Sequence, residues 1–368
     1  MSERLPPAEI IGVGTVTPVG LYTAAAEAAI GAGLTQARRA TFINMDGERQ
    51  DMHLVDGDYL APLCPEISSV GLTGPHVRML RLAGPALAEA IATTSEPPPL
   101  FLALPELLPD TRDPIAPTFV QDLAIQARVK LDAKRSAIYR EGAGFLFALR
   151  DALHFLANGH GSQVVVGGVD SFLDAVRLNI LDAESRLYGS HPRSRLGFQP
   201  GEGAGFILLR GESKSGQRPG GAHALARLIG VGLGKEKGHR YSKEPYRGDG
   251  LAEAFAELFE PLPPDLPKVR CVYCGFNGEN MPAKEWGVSR LRNSERFIDD
   301  TQIEHPADCI GDAGAALGAI MLGLAAFTID EGHQPEPRPI WAQDDPGPCL
   351  VWSTSDREPR AAALVQWK

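Results

Sequence analysis

A layered α/β/α/β/α sandwich made of two duplicated halves is the fold class this sequence predicts. Three observations carry it. Ile10-Ile11-Gly12-Val13-Gly14 near the start returns as Leu228-Ile229-Gly230-Val231-Gly232 past the middle. Each copy opens the same order of elements: strand, long helix, strand, buried helix, strand. Self-similarity of that kind marks an internal duplication. Finally, some of the helices are apolar on nearly every side, so they belong between two sheets rather than on a surface. A ligand would sit between the halves, at the helix-facing ends of the strands.

The first half spans residues 1–212. Residues 9–13 read as a strand, and Pro18 and Gly20 end the loop after it. Residues 78–91 place Leu80, Leu82, Ala83, Ala86, Leu87 and Ala90 at helical spacing. Pro97-Pro98-Pro99 stops the chain before a second strand at 100–104. Residues 105–135 read as connecting helix and loop, and 136–139 as a short strand. Residues 143–157 form a helix buried nearly all round, ended by Asn158-Gly159. The run 163–166 is a central strand bounded by Gly167-Gly168, and 205–210 is another.

Residues 213–221, Ser-Lys-Ser-Gly-Gln-Arg-Pro-Gly-Gly, are the best boundary between halves. The second half, 222–368, repeats the plan within one compact domain. Strands are expected at 224–231, 269–273, 350–353 and 362–367. Helices are expected at 251–259 and 311–327. The small residues of 313–319 would let the second of these sit close between two sheets.

Composition narrows the function. The net charge of −10 argues against nucleic acid, whose phosphates need a clustered basic surface. Five cysteines, an odd and irregular set, fit reduced cytoplasmic thiols better than a disulfide framework. Cys271 and Cys274 form one CxxC. Residues three apart on a strand face opposite ways, so no metal site is expected there. The N-terminal residues have no apolar signal core, and the apolar run 313–327 is too short for a good membrane span. A cytoplasmic location is expected. Gly12-x-Gly14 lacks its third glycine, and GxSxG, HExxH and P-loop motifs are absent. No cofactor is expected.

Four segments then carry a resemblance. Gly201-Glu202-Gly203-Ala204-Gly205, followed by Phe206-Ile207-Leu208-Leu209, resembles the GEGAG strand of the β-ketoacyl-(acyl carrier protein) synthase branch of the thiolase-like superfamily. Ile310-Gly311-Asp312-Ala313-Gly314-Ala315-Ala316-Leu317-Gly318-Ala319 is similar to its IGHxxGAAGA segment. Ile11-Gly12-Val13-Gly14 with Thr17-Pro18-Val19-Gly20 is similar to its opening. Val164-Val165-Val166-Gly167-Gly168-Val169 is similar to the strand after its nucleophile helix. The resemblance spans almost the whole chain. It implies the thiolase-like fold and acyl groups carried on acyl carrier protein or coenzyme A. It also implies a homodimer or a heterodimer, pairing through a central strand that 163–166 would match. The family's site is a cysteine at the N-terminus of the buried helix plus two histidines. The helix N-terminus lowers the thiol pKa and its amides hold the thioester oxyanion.

Here the sequence departs from the family. Gly142 stands at the nucleophile position, or Glu141 if one residue is gapped. The second histidine falls on Asp312 and the lysine before it on Ala307. The first histidine falls at Cys274 or Gly275, and Thr354-Ser355-Asp356-Arg357-Glu358-Pro359 replaces the glycine-rich GFGG turn. The expected function is therefore a synthase-like chain without condensing activity. It would bind an acyl group or an acyl carrier protein, or partner an active synthase in fatty-acid or polyketide metabolism, as chain-length-factor subunits of the family do. The alternative is an acyltransferase or thioesterase with relocated chemistry, using Cys274 as nucleophile or Glu141 and Asp312 as an acid/base pair.

Each candidate has a structural reading as well. Gly142 suits a sharp strand-to-helix turn, or leaves a hole for a ligand. Glu141 complements the helix dipole or acts as an acid/base. Asp312 caps the helix after it or serves as a pocket acid. Cys274, and more weakly Cys309, is a core cysteine or a nucleophile. Asn277, Glu279, Asn280 and Glu285 form a solvated loop or bind a small polar ligand, with His305 and Asp308 facing them. His191, Arg193 and Arg195 form a surface turn or meet the phosphate of a carrier protein. Phe145 and Phe147 are bulky enough to fill an acyl tunnel.

Overall fold

The computed structural model describes residues 5–94, 96–189, 196–212, 223–330 and 347–367. In chain order its strands are β1 (Ala8–Val16), β2 (Arg38–Ile43), β3 (Arg49–Met52), β4 (Leu100–Ala103), β5 (Ala137–Tyr139), β6 (Gln163–Ser171) and β7 (Glu202–Gly211). They continue as β8 (Ala226–Lys235), β9 (Val269–Cys274), β10 (Phe297–Glu304), β11 (Cys349–Thr354) and β12 (Pro359–Gln366). The helices are α1 (Thr23–Gly31), α2 (Gly74–Ala90), α3 (Phe119–Ala127), α4 (Gly144–Ala157) and α5 (Ala175–Ala183). After them come α6 (Asp249–Phe259), α7 (Asn280–Arg292), the short α8 (Ala307–Ile310) and α9 (Leu317–Ile329).

Two runs of five strands share one order. Reading outward from the centre, one is β1-β7-β6-β4-β5 and the other β8-β12-β11-β9-β10. In both, the two inner pairings are antiparallel and the two outer ones parallel. The runs meet where Ala8–Ile10 pairs with Ala226–Leu228. Helices α4 and α9 touch strands of both runs, and their side chains form one apolar cluster with Val164, Ile207, Cys271, Val351 and Ala363. Helices α2 and α3 cover the outer face of the first run, and α6 that of the second. The layers are therefore α/β/α/β/α, as the apolar helices predicted.

The middle layer explains the GEGAG segment. A Cβ on Gly205 would stand 2.7 Å from the Ile320 amide nitrogen, so α9 lies directly on β7. Glu202, fully buried between these glycines, accepts N–H bonds from Val55 (2.8 Å) and from Arg78 Nε (3.0 Å). Leu317, Ile320, Met321, Leu322, Leu324 and Ile329 of α9 are all buried. Each such side chain contributes roughly 1.5–3 kcal/mol by leaving water.

Two expectations are corrected. Residues 163–166 lie in β6, which is bonded to β7 on one side and to β4 on the other. Val165–Gly168 are thus paired on both sides, and among the described residues the edge strand of that run is β5. The apolar helix expected from residue 311 starts at Leu317. Gly311 takes φ +69°, and a 3-10 turn, Gly314–Ala316, intervenes. Residues 213–221 lie outside the described residues, as do His191, Arg193 and Arg195. Among the described residues no helix is long and apolar enough to cross a membrane.

Candidate functional site

A cavity of about 90 Å³ lies at the C-terminal ends of the parallel strands. That is the crevice position the open α/β topology favours. Its walls come from loops that follow those strands. Glu106 follows β4, Gly142 follows β5, Asn277 and Glu279 follow β9, Asp356 follows β11, and Asp312 stands before α9. Four arginines, Arg177, Arg186, Arg240 and Arg360, also line the cavity. Among the described residues no cysteine or histidine lines it.

These groups satisfy one another in a continuous chain. The Asp312 carboxylate accepts from Asn277 Nδ2 (2.7 Å) and from the Gly314 N–H (2.7 Å). Asn277 Oδ1 accepts the Glu279 N–H (3.0 Å). Glu279 accepts from Arg186 Nε (3.0 Å) and Nη2 (2.9 Å), and from Arg240 Nη2 (2.8 Å). Asp356 accepts from Arg186 Nη1 (2.7 Å) and Arg240 Nε (2.8 Å). The Asp356 N–H donates to Glu106 Oε2 (3.1 Å), and so does the Gly142 N–H (3.1 Å).

Burial sets the charges against this bonding. It pushes the Glu106 carboxyl up, with the Asp356 charge adding to it against three backbone N–H bonds. It also pushes Asp312 up, against its bonds to Asn277 and Gly314. Burial would raise Asp356 too, but Arg186 and Arg240 together hold it below the ordinary carboxylate range. Burial likewise opposes the charge on Arg186, but Asp356 and Glu279 raise its pKa above the ordinary guanidinium value.

Residue 142, where the resemblance puts the nucleophile, is closely packed. Gly142 does not need a positive φ; it needs the absence of a side chain. A Cβ there would lie 2.8 Å from the Thr354 carbonyl oxygen, 3.1 Å from Ser355 Cα and 3.3 Å from Glu106 Oε2. The start of α4 is already bonded, because the Ala143 N–H donates to Ser355 Oγ (2.9 Å).

The sequence candidates separate into two groups. Gly142, Asn277, Glu279, Glu285 and Asp312 line the cavity. Asp312 also bonds the first amide of the 3-10 turn, as a cap does. Glu285 pairs with the buried Arg360 at 2.6 Å. Cys274 is elsewhere. It is fully buried in the outer apolar cluster with Phe255 and Trp352, and burial pushes its thiol up to about 12. Cys271 faces the middle layer, so the CxxC sulfurs lie on opposite sides of β9. Glu141 does not line the cavity, so it and Asp312 are not joined there; burial raises its carboxyl, with Lys235 opposing. Asn280 is exposed at the start of α7. His305 pairs with Asp308 on an exposed turn, and Cys309 is buried in α8 outside the cavity. Phe145 packs against Gly318 of α9, and Phe147 is partly buried against the same core.

No family model matches the chain. Solved structures do. A ketosynthase from module 6 of the bacillaene synthase of Bacillus subtilis 168 superposes with a TM-score of 0.76 at 16% identity, over 98% of this chain and 72% of the other. The ishigamide ketosynthase/chain length factor gives 0.71 at 15%, covering 100% of both chains. The structure titled AntDE:AntF is a type II polyketide synthase acyl-carrier protein in complex with its ketosynthase bound to the hexaketide. It gives 0.71 at 15%, over 99% of this chain and 100% of the other.

The chain has the ketosynthase fold. Within that fold the charged lining residues that sequence reasoning missed include Glu106, Arg186, Arg240 and Asp356, besides Asp170, Arg177 and Arg360. One signal was available. Glu106 and Asp356, like Glu279, follow the C-terminal ends of parallel strands, where crevice residues gather. Nothing local marks Arg186 and Arg240, which reach the cavity from irregular segments after α5 and β8.

Proposed function

We propose that this chain is a ketosynthase-like protein without condensing activity, and that it binds an acyl group or an acyl carrier protein, or partners an active synthase. The observation that carries this reading is the space at Gly142. A nucleophile needs a Cβ there, and backbone atoms of Thr354 and Ser355 stand 2.8 and 3.1 Å from its place, too close to admit it without a shift of backbone. The cavity walls supply no thiol or imidazole among the described residues, and their carboxylates are engaged with arginines or amides. About 90 Å³ is also well below the roughly 300–1,000 Å³ of ordinary small-molecule pockets. A bound chain would therefore lie at the mouth or displace the ion pairs.

The partner half of the proposal rests on β5. Among the described residues it pairs only with β4, and Ile138 is 42% exposed on it, so its outer edge can extend the sheet into a second chain. The likeness to a ketosynthase/chain length factor supports the same reading. An acyltransferase with relocated residues has less support, because Cys274 is sealed in the outer layer and Glu141 is off the cavity.

The test is to incubate the protein with an acyl-CoA and malonyl-carrier protein and follow intact mass and product. The expected result is no covalent adduct and no condensation product. A stoichiometric acyl adduct overturns the proposal.

A further inference from the structure

Glu106 is seated as a ligand would be. Its Oε2 takes the N–H groups of Gly142 and Asp356, each at 3.1 Å, and its Oε1 takes the N–H of Arg357 at 3.2 Å. The donors come from two segments far apart in sequence, the turn into α4 and the turn between β11 and β12. Converging backbone amides of this kind make an anion-binding concavity. The Arg357 guanidinium adds positive charge, with Nε 3.9 Å from Oε1. Glu106 itself sits in residues 104–118, which form no helix or strand. The receptor is thus built from turns tied to the sheet and helix framework, and the occupant rides on a loop.

We propose that the amides of Gly142, Asp356 and Arg357 form a carboxylate-binding nest that Glu106 fills from within. The site is a latent receptor for a small monocarboxylate, kept shut by the chain's own side chain. Glu106 thereby holds the 354–357 turn down over Gly142, and that turn is what blocks residue 142. Burial and the Asp356 charge both work against the ionised form of Glu106, so the three N–H bonds are what hold a carboxylate in this place.

The inference goes beyond the proposed function and does not depend on it. An acyl adduct would overturn the non-condensing reading and leave the nest intact. Failure of the experiment below would remove the nest and leave that reading standing.

The experiment compares wild type, Glu106→Ala and Glu106→Gln in sodium formate and in sodium chloride at matched ionic strength, by thermal unfolding and titration calorimetry. Glu106→Ala vacates the nest. Its midpoint is expected to rise saturably by roughly 2 °C or more in formate over chloride, because a ligand that binds only the folded state stabilises it. Wild type and Glu106→Gln, whose nests remain filled, are expected to show no such difference. Indistinguishable midpoints for Glu106→Ala in the two salts overturn the proposal. So does an equal formate response in Glu106→Gln, which would place the binding elsewhere. Should Glu106→Ala not fold in chloride, its refolding yield in formate against chloride reads the same binding, and equal yields overturn it.

Discussion

The Glu106 carboxylate accepts the Gly142 N–H at 3.1 Å, and the same oxygen stands 3.3 Å from where a Cβ on residue 142 would begin. One contact therefore bonds the backbone and bars the side chain. It joins the end of the first parallel run to the turn before α4, while Thr354 and Ser355 close the same point from the second run. Under the proposed reading, the absence of a side chain at residue 142 and the close packing of that point are a single structural relationship.

A thiol introduced at residue 142 should not take up an acyl group. Gly142→Cys places a Cβ 2.8 Å from a carbonyl oxygen that belongs to backbone and cannot swing away. Overpacking of this kind costs about 1–3 kcal/mol. The urea midpoint is expected to fall in both Gly142→Ala and Gly142→Cys, with no acyl adduct on the cysteine variant by intact mass. An adduct on the introduced thiol at wild-type stability would show that the turn yields.

The Arg186 ion pairs should be a stability determinant. Its side chain is 8% exposed and shares Glu279 and Asp356 with Arg240. Arg186→Met leaves two partly buried carboxylates with half their partners, a loss of up to about 3 kcal/mol, below that of a fully buried pair because Asp356 is 24% exposed. Arg186→Met and Arg240→Met are expected to be non-additive, because they serve the same two carboxylates. A double-mutant cycle by denaturant unfolding checks this; additive losses would dissolve the network into independent pairs.

Asp312 should make stability fall as pH rises above about 4. Burial raises its carboxyl in the folded chain, so between the unfolded value of about 3.9 and its folded value the native state holds the extra proton. Stability then declines with rising pH across that window and is fully present below it. Asp312→Asn cannot titrate. The advantage of wild type over this variant is expected to be largest near pH 4 and to shrink toward pH 7, measured by urea unfolding at each pH. Asp356 acts in the opposite sense and in a lower window. Its depressed carboxyl contributes fully above about 3.9 and loses that contribution as pH falls through its folded value. A flat difference between wild type and Asp312→Asn would remove Asp312 from the pH response.

What is legible in the sequence is periodic or apolar. Helix α9 can be read because Leu317, Ile320, Met321 and Leu324 leave it no polar face, and the GEGAG segment because Gly205 must admit that helix. The start of α9 is misplaced by the same pattern because Asp312 and the positive φ of Gly311 interrupt the helix, and neither alters the apolar spacing. The exposed β2–β3 hairpin and the polar α7 and β10 go unread for want of an apolar signal. At the site, alignment places Gly142 and Asp312 but sets Cys274 one strand face from the cavity, since a single-residue slip on a strand reverses the side. Arg186 and Asp356 are 170 positions apart, and only the folded chain makes them partners.

Sheet pairing between chains should run through β5 and not β6. The three residues of β5 use one edge on β4 and have no strand partner on the other among the described residues, whereas β6 is paired on both edges over Val165–Gly168. A charged side chain on an edge strand blocks edge-to-edge addition. Ile138→Lys replaces a side chain already 42% exposed, so the folded monomer is expected to keep its thermal midpoint. The proposed dimer, whether with a second copy or with a synthase partner, is expected to form in the wild type and to be lost in the variant, read as the monomer mass in sedimentation equilibrium. A dimer that persists in Ile138→Lys at unchanged affinity would move the interface away from this edge.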